Sequence, residues 1–145
     1  MLRTMIHRWR FALAFVAAAA LAACGPSPSN TDYVGYTKDL TFRVTATPIP
    51  PHAREKTAYR VVVSDRSSGK PIVGGEGRIF ASTRDGASTW DALLPGEGLG
   101  AYYGNLNYIT AGEWAVAIQF RRDSTKPLER IDWMQEVAAA RGGVQ

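Results

Sequence analysis

The sequence predicts an all-β domain, an antiparallel β-sandwich preceded by a cleaved signal peptide and a Pro/Ser-rich tether. Apolar and polar residues alternate along several short runs, the pattern of strands with one buried face. Clusters of turn-forming residues separate these runs, and no segment shows a clear long helical period. Short strands joined by turns, without a long helix, indicate a sandwich.

Two strands are predicted in the first half of the domain. The first begins at Leu40, with one apolar face formed by Leu40, Phe42, Val44 and Ala46, and it ends before the proline-rich residues 48–51. The second covers residues 57–65, with Tyr59, Val61 and Val63 pointing inward. It stops at residues 65–71, a run of turn formers that includes Gly69 and Pro71.

Three further segments continue the alternation. A short strand is predicted near residues 78–83, closed by Asp85-Gly86. Residues 101–108 place Tyr102, Gly104, Leu106 and Tyr108 on one face, and Tyr103, Asn105 and Asn107 on the other. The clearest strand covers residues 113–121, in which the apolar positions are Trp114, Val116, Ile118 and Phe120.

The segment 128–141 fits a strand and a helix about equally well, and we favour a strand for its first part. We expect one sandwich over residues 37–138 and a C-terminal tail over 139–145. We see no internal repeat and no second domain.

The N-terminus has the features of a secretory leader. Arg3, Arg8 and Arg10 precede an apolar run from Phe11 to Leu21, which is too short for a membrane-spanning helix of about 20 residues. The run closes with Leu21-Ala22-Ala23-Cys24, which resembles the lipobox of bacterial lipoproteins. That resemblance implies cleavage after residue 23 and acylation of Cys24 by diacylglycerol and an N-acyl chain such as palmitate.

The mature chain would keep 122 of the 145 residues, enough for one domain without a disulfide. Three of the seventeen basic residues lie in the leader, which leaves fourteen against thirteen acids, a net charge of +1. This balance argues against nucleic acid as a partner. Residues 24–36 form the predicted tether between the lipid and the domain. Because Gly25 follows the cysteine, the lipoprotein resemblance favours the outer membrane, facing the periplasm.

Within the domain, a resemblance covers roughly residues 57–120. The turn Gly69-Lys70-Pro71-Ile72, the later Gly100-Ala101-Tyr102 and the strand beginning Gly112-Glu113-Trp114 resemble the FixH-like and YtkA-like group of small immunoglobulin-like periplasmic domains. The resemblance implies an immunoglobulin-like sandwich. It also implies a role beside membrane-embedded partners in copper handling, oxidase assembly or metal efflux.

Candidate chemical groups are few. Copper(I) prefers thiolate, thioether and imidazole ligands, and the mature chain offers only His52, Met134 and the acylated Cys24. His52 is the only histidine left after processing and no nucleophile is paired with it, so we expect no enzyme, no metal site and no cofactor beyond the lipid. Gly74-Gly75-Glu76-Gly77 lacks the following Lys-Ser or Lys-Thr of a phosphate-binding loop.

Tyr103, Asn105 and Asn107 form the predicted binding surface, if their face of the strand is exposed. The loop 95–100 is a second position where a sandwich could bind a ligand. We expect a non-enzymatic accessory or adaptor subunit of an envelope complex, held to the membrane by its lipid and bound to an envelope protein. The alternatives are a periplasmic copper-handling module and a glycan or cell-wall binding module.

Overall fold

The computed structural model describes residues 32–142, in which every regular element is a β-strand. The leader, Cys24 and the first part of the tether lie outside the described residues, as do the last three residues of the tail. The eight strands are β1 (Asp32–Tyr36), β2 (Leu40–Thr47), β3 (Lys56–Asp65), β4 (Glu76–Ser82), β5 (Ser88–Pro95), β6 (Ala101–Asn107), β7 (Gly112–Arg121) and β8 (Glu129–Val137).

The strands are all antiparallel and follow the order β1-β2-β3-β6-β5-β4-β7-β8. The set β2-β3-β6-β5 reproduces the A-B-E-D sheet of an immunoglobulin domain, and β4-β7-β8 reproduces its C-F-G sheet. β5 joins the two sheets, because it pairs with β4 over six residues and with β6 only at Leu94–Tyr103 and Pro95–Tyr102. The predicted antiparallel, immunoglobulin-like sandwich is therefore confirmed.

β1 is an additional strand that nearly closes the sheet against β8. The rings of Tyr33 and Trp133 stack with their centroids 4.8 Å apart, and the Tyr33 hydroxyl donates to the backbone oxygen of Asp132. The Thr37 hydroxyl also bonds to the Glu129 carboxylate. The predicted tether over residues 24–36 is thus wrong in its last part, because residues 32–36 pair with β2 and the domain begins before residue 37.

The core follows the predicted alternation. The inward residues of β2 and β3 are buried, and so are the four apolar positions of β7. Trp114 packs edge-on against Tyr108 at 5.1 Å between centroids, and Phe120 meets the edges of Phe42 and Tyr102. These rings join the two sheets and fill the space between them.

The structure decides between the two alternatives for one segment and adds one strand that was not predicted. Residues 129–137 form β8, so the strand alternative is the correct one for that segment. β5 was not predicted at all, and it occupies the stretch between the Asp85-Gly86 turn and the loop that ends at Gly100. A strand at this position is what carries the chain from one sheet to the other.

Candidate functional site

The outer face of the β5-β4-β7-β8 sheet is the most distinctive surface of the described domain, and we call it the Trp90 face. The register places outward side chains in rows across the four strands. The central row contains Trp90, Phe80, Ala117 and Asp132. The rows on either side contain Ala92, Arg78, Gln119 and Arg130, and Ser88, Ser82, Ala115 and Met134.

Large apolar side chains are exposed on this face. Trp90 is 69% exposed and Met134 57% exposed, while the floor between them consists of the small residues Ser82, Ala115 and Ala117. Trp and Met, together with Arg, are enriched in the cores of protein interfaces, and Trp and Arg dominate binding energies there. The face therefore has the composition of a protein-binding surface.

Two arginines pack against the half-buried ring of Phe80. The guanidinium carbons of Arg78 and Arg130 lie 5.4 and 5.1 Å from the centroid of the Phe80 ring, within cation–π distance. Arg78 also donates to the side-chain oxygen of Gln119. Arg130 donates to both carboxylate oxygens of Asp132, and these bonds raise the pKa of its guanidinium. The centre of the face is thus ordered before any partner binds.

Each end of the Trp90 face has a shallow depression flanked by an acid and a base. At one end, a depression of about 260 Å³ is lined by Arg78, Leu128 and the ion pair between Glu76 and Arg121. At the other, a depression of about 340 Å³ is lined by Arg84, Glu113 and Met134. The acid at the first depression is Glu76 of β4, whereas the acid at the second is Glu113 of β7.

The predicted surface of Tyr103, Asn105 and Asn107 lies on the other sheet. The three side chains share one outward face of β6, opposite Arg60, Ala58 and Lys56 of β3. Tyr103 is 36% exposed, its ring lies against Gly96, and its hydroxyl donates to the backbone oxygen of Glu97 at 2.7 Å. The structure brings the trio together, but the ring of Tyr103 is partly covered by the loop 96–100.

The backbone of β6 is bound by side chains where β5 departs from it. The amide of Asn105 donates to the Asp91 carboxylate at 2.8 Å, and that of Asn107 donates to the Thr89 hydroxyl at 3.2 Å. Polar side chains of β5 thus bind backbone amides of β6 in the region where the two strands no longer pair through their backbones. This arrangement fixes the angle at which β5 presents Trp90.

The candidate metal ligands are not brought together. Met134 lies on the Trp90 face, whereas His52 lies between β2 and β3 and contacts the Arg141 guanidinium through its Nδ1 at 3.0 Å. No group of three His, Cys, Asp or Glu side chains within residues 32–142 has the spacing of a metal site. Cys24, the predicted lipid attachment residue, lies outside the described residues.

The strongest pKa shifts belong to structural groups. The Asp65 carboxylate pairs with Arg122 and accepts bonds from Ser67 and Ser68, and these contacts hold its pKa well below the usual range. Burial raises the pKa of Tyr59 to about 12 although its hydroxyl bonds to that of Tyr108. Burial, followed by the presence of Tyr59, raises the pKa of Tyr108 as well. Asp65 and Arg122 also line a surface depression of about 300 Å³, together with Lys126 and Glu129.

Sequence comparisons give no match to any protein-family model or curated protein. Among solved structures, the chain is similar to a DUF4426 family protein from Pseudomonas aeruginosa, with a TM-score of 0.58 and 12% identity over 74% of this chain and 95% of that one. FetP from uropathogenic Escherichia coli, expressed in the periplasm, gives a TM-score of 0.49 and 8% identity over 74% and 94% of the two chains. A copper-bound FetP variant gives 0.45 and 10% over 79% and 96%.

At these identities the first likeness concerns the fold alone, and the two FetP comparisons are too distant to support a conclusion about this chain. The resemblance to the FixH-like and YtkA-like group stays a prediction. In the part of the chain that the structure describes, no helix has the length and apolar character needed to cross a bilayer.

Proposed function

We propose that this protein is a lipid-anchored accessory protein of the periplasm, which has no catalytic activity and acts through protein–protein binding at the Trp90 face. The observation that carries the proposal is the exposure of Trp90 on the outer sheet face, beside Phe80 and the two arginines that contact its ring. The anchor proposed for Cys24 supplies the location, and the lipid is the only cofactor the proposal needs.

The free energy gained by covering the Trp90 side chain is large for so small a domain. An indole that is 69% exposed leaves on the order of 150 Å² of largely apolar surface in water, and covering it gains roughly 3 kcal/mol. Because Arg78 and Arg130 already hold the neighbouring Phe80 ring, that ring has little side-chain entropy to lose on binding. Both features favour a protein partner at this face.

Anchoring supports binding by a modest surface. Two or more acyl chains hold a protein stably at a bilayer, whereas one holds it only marginally. A partner in the same membrane then meets the domain at a raised effective concentration. The face therefore needs only modest intrinsic affinity to be occupied in the cell.

The test is site-specific crosslinking in cells that produce the full-length protein. A photo-reactive phenylalanine in place of Trp90 should give a discrete covalent adduct, and the same residue in place of Asn107 on the other sheet should not. A Cys24→Ser version should lose both membrane attachment and most of the adduct. Equal adducts at both positions, or none at Trp90, would remove the proposal.

A second candidate is glycan binding by Tyr103, Asn105 and Asn107, because the structure places the three on one outward face. The bond from the Tyr103 hydroxyl to Glu97 would hold the ring in a fixed orientation for stacking on a sugar. Retention of the membrane-extracted protein on cell-wall material should fall several-fold in Tyr103→Ala. Unchanged retention would exclude this surface.

A further inference from the structure

We infer that the partner on the Trp90 face is a second copy of the same chain, stacked face to face with its strands antiparallel. This inference rests on the proposed function and names its partner. A two-fold axis lying in the interface and crossing the strands at the central row would place each strand over its own copy. Phe80 would then face Phe80 and Trp90 would face Trp90, while the buried Ala117 lies beneath the neighbouring side chains.

The charges of the face favour this arrangement. Beyond the central row, one half contains Arg78, Arg121 and Arg130 against Glu76. Because Arg130 is paired with Asp132 of the central row, the remaining net charge of this half is +1. The other half contains Glu113 and Glu136 against Arg84, a net charge of −1. Antiparallel stacking brings each half against the half of opposite sign, whereas parallel stacking brings like against like. Complementary potentials of this kind set the register of an interface.

The acidic half carries a charge conflict that a second copy would relieve. Glu113 and Glu136 are direct cross-strand partners, and like charges in this position are destabilising. Within residues 32–142, neither carboxylate has an ion-pair partner. In the stacked pair both would lie over the half that contains Arg78 and Arg121. The conflict is the second, independent observation that points to a basic partner surface.

The centre of the face can approach its own copy closely. Ala117 forms the floor between β4 and β8, and Ala115 continues it toward the acidic end. Asp132, which would face its own copy at the edge, already has its charge balanced by two bonds from Arg130. Small residues and a neutralised acid thus allow two sheets to pack about 10 Å apart.

The position of β1 suits two anchored copies. The proposed two-fold axis places β8 of one copy over β8 of the other. Because β1 lies beside β8, the β1 strands of both copies are then on the same side of the pair. The chain ends that lead to Cys24 can then reach a single membrane. Four strands of this length cover roughly 500 Å² per copy, near the lower limit of a specific interface. We therefore expect a weak dimer in solution that membrane attachment supports.

The experiment combines crosslinking with reciprocal charge reversal. Full-length chains with the photo-reactive residue at position 90 are produced in two differently tagged forms, and the adduct is measured in membranes. Glu113→Arg makes both halves positive, and Arg121→Glu makes both negative. When both tagged chains carry the same substitution, the yield of adduct that contains both tags should fall about tenfold. When one chain carries Glu113→Arg and the other Arg121→Glu, the yield should recover.

Two controls separate folding from association. Arg121→Glu also loses the ion pair with Glu76, so thermal unfolding of each purified variant must show that the domain is intact. Glu97→Arg makes the same charge change in the loop between β5 and β6 and should leave the adduct unchanged.

Each outcome decides the inference. Recovery in the mixed pair supports it, and failure of two folded variants to recover the adduct overturns it. An adduct at position 90 that contains a different protein overturns the second copy but leaves the proposed function standing. Absence of any adduct removes both.

Discussion

Tyr102 offers a stringent test of how the two sheets are connected. Its ring is 1% exposed, and its hydroxyl donates to the backbone oxygen of Ile72 at 2.8 Å and accepts from the amide of Gly75 at 3.0 Å. These bonds hold the segment by which the chain passes from β3 to β4. Tyr102→Phe keeps the ring and removes both bonds. It leaves a buried carbonyl and a half-buried amide unpaired, a cost of about 2 kcal/mol.

The assay is equilibrium unfolding in urea, followed by tryptophan fluorescence, with Tyr103→Phe as the matched control. Tyr103 also makes two hydroxyl contacts, to Glu97 and Arg60, but on the exposed face, so its loss should cost no more than about 0.5 kcal/mol. For a domain of this size, 2 kcal/mol lowers Tm by about 8 °C. The denaturant slope should stay unchanged. Equal effects of the two substitutions would refute the role of the Tyr102 hydroxyl.

Three further predictions concern packing and pH. Gly77→Ala would place a Cβ atom 2.6 Å from the Gln119 carbonyl oxygen, so urea unfolding should show a loss of about 2 kcal/mol; an unchanged midpoint would contradict the close approach of β4 and β7. Tyr59 and Tyr108 keep their protons in the fold above the ordinary pKa of 10.0, so their contribution to stability should be constant below pH 10 and fall above it. Absorbance titration should show that neither ionises near pH 10 while the domain is folded. The lowered pKa of Asp65 means that its stabilising contribution is present above pH 4 and lost in stronger acid, so the stability difference between wild type and Asp65→Asn should shrink as pH falls below 4.

Much of the fold was predictable because burial imposes a period of two on the sequence. β2, β3, β6 and β7 each carry apolar residues at alternate positions, and the structure buries them as predicted. β1 was hidden because its apolar residues do not alternate: Tyr33 and Val34 are adjacent, and the buried position is Gly35, which has no side chain. Its strand pairing depends instead on contacts such as Tyr33 with Trp133, which join residues far apart in the sequence.

The Trp90 face was missed because the pattern of β5 is inverted. Its inward positions include Thr89 and Asp91, which bind the backbone of β6, while Trp90 and Leu94 point outward. A search for a buried apolar face cannot detect such a strand, although apolar residues at the outward positions are a signal of a binding surface. The trio on β6 was predicted correctly as a shared face, because regular alternation places it there.

The position of β1 also determines how the domain would respond to mechanical force. Tension on the chain enters at Asp32, the first residue of a strand that is paired along its whole length with β2. A pull along this strand loads all five residue pairs together, in shear, and Tyr33 and Thr37 add resistance from β8 on the other side. Unzipping the pairs one at a time would require a pull across the strand. A domain held at its N-terminus would therefore withstand drag along its strands better than drag across them.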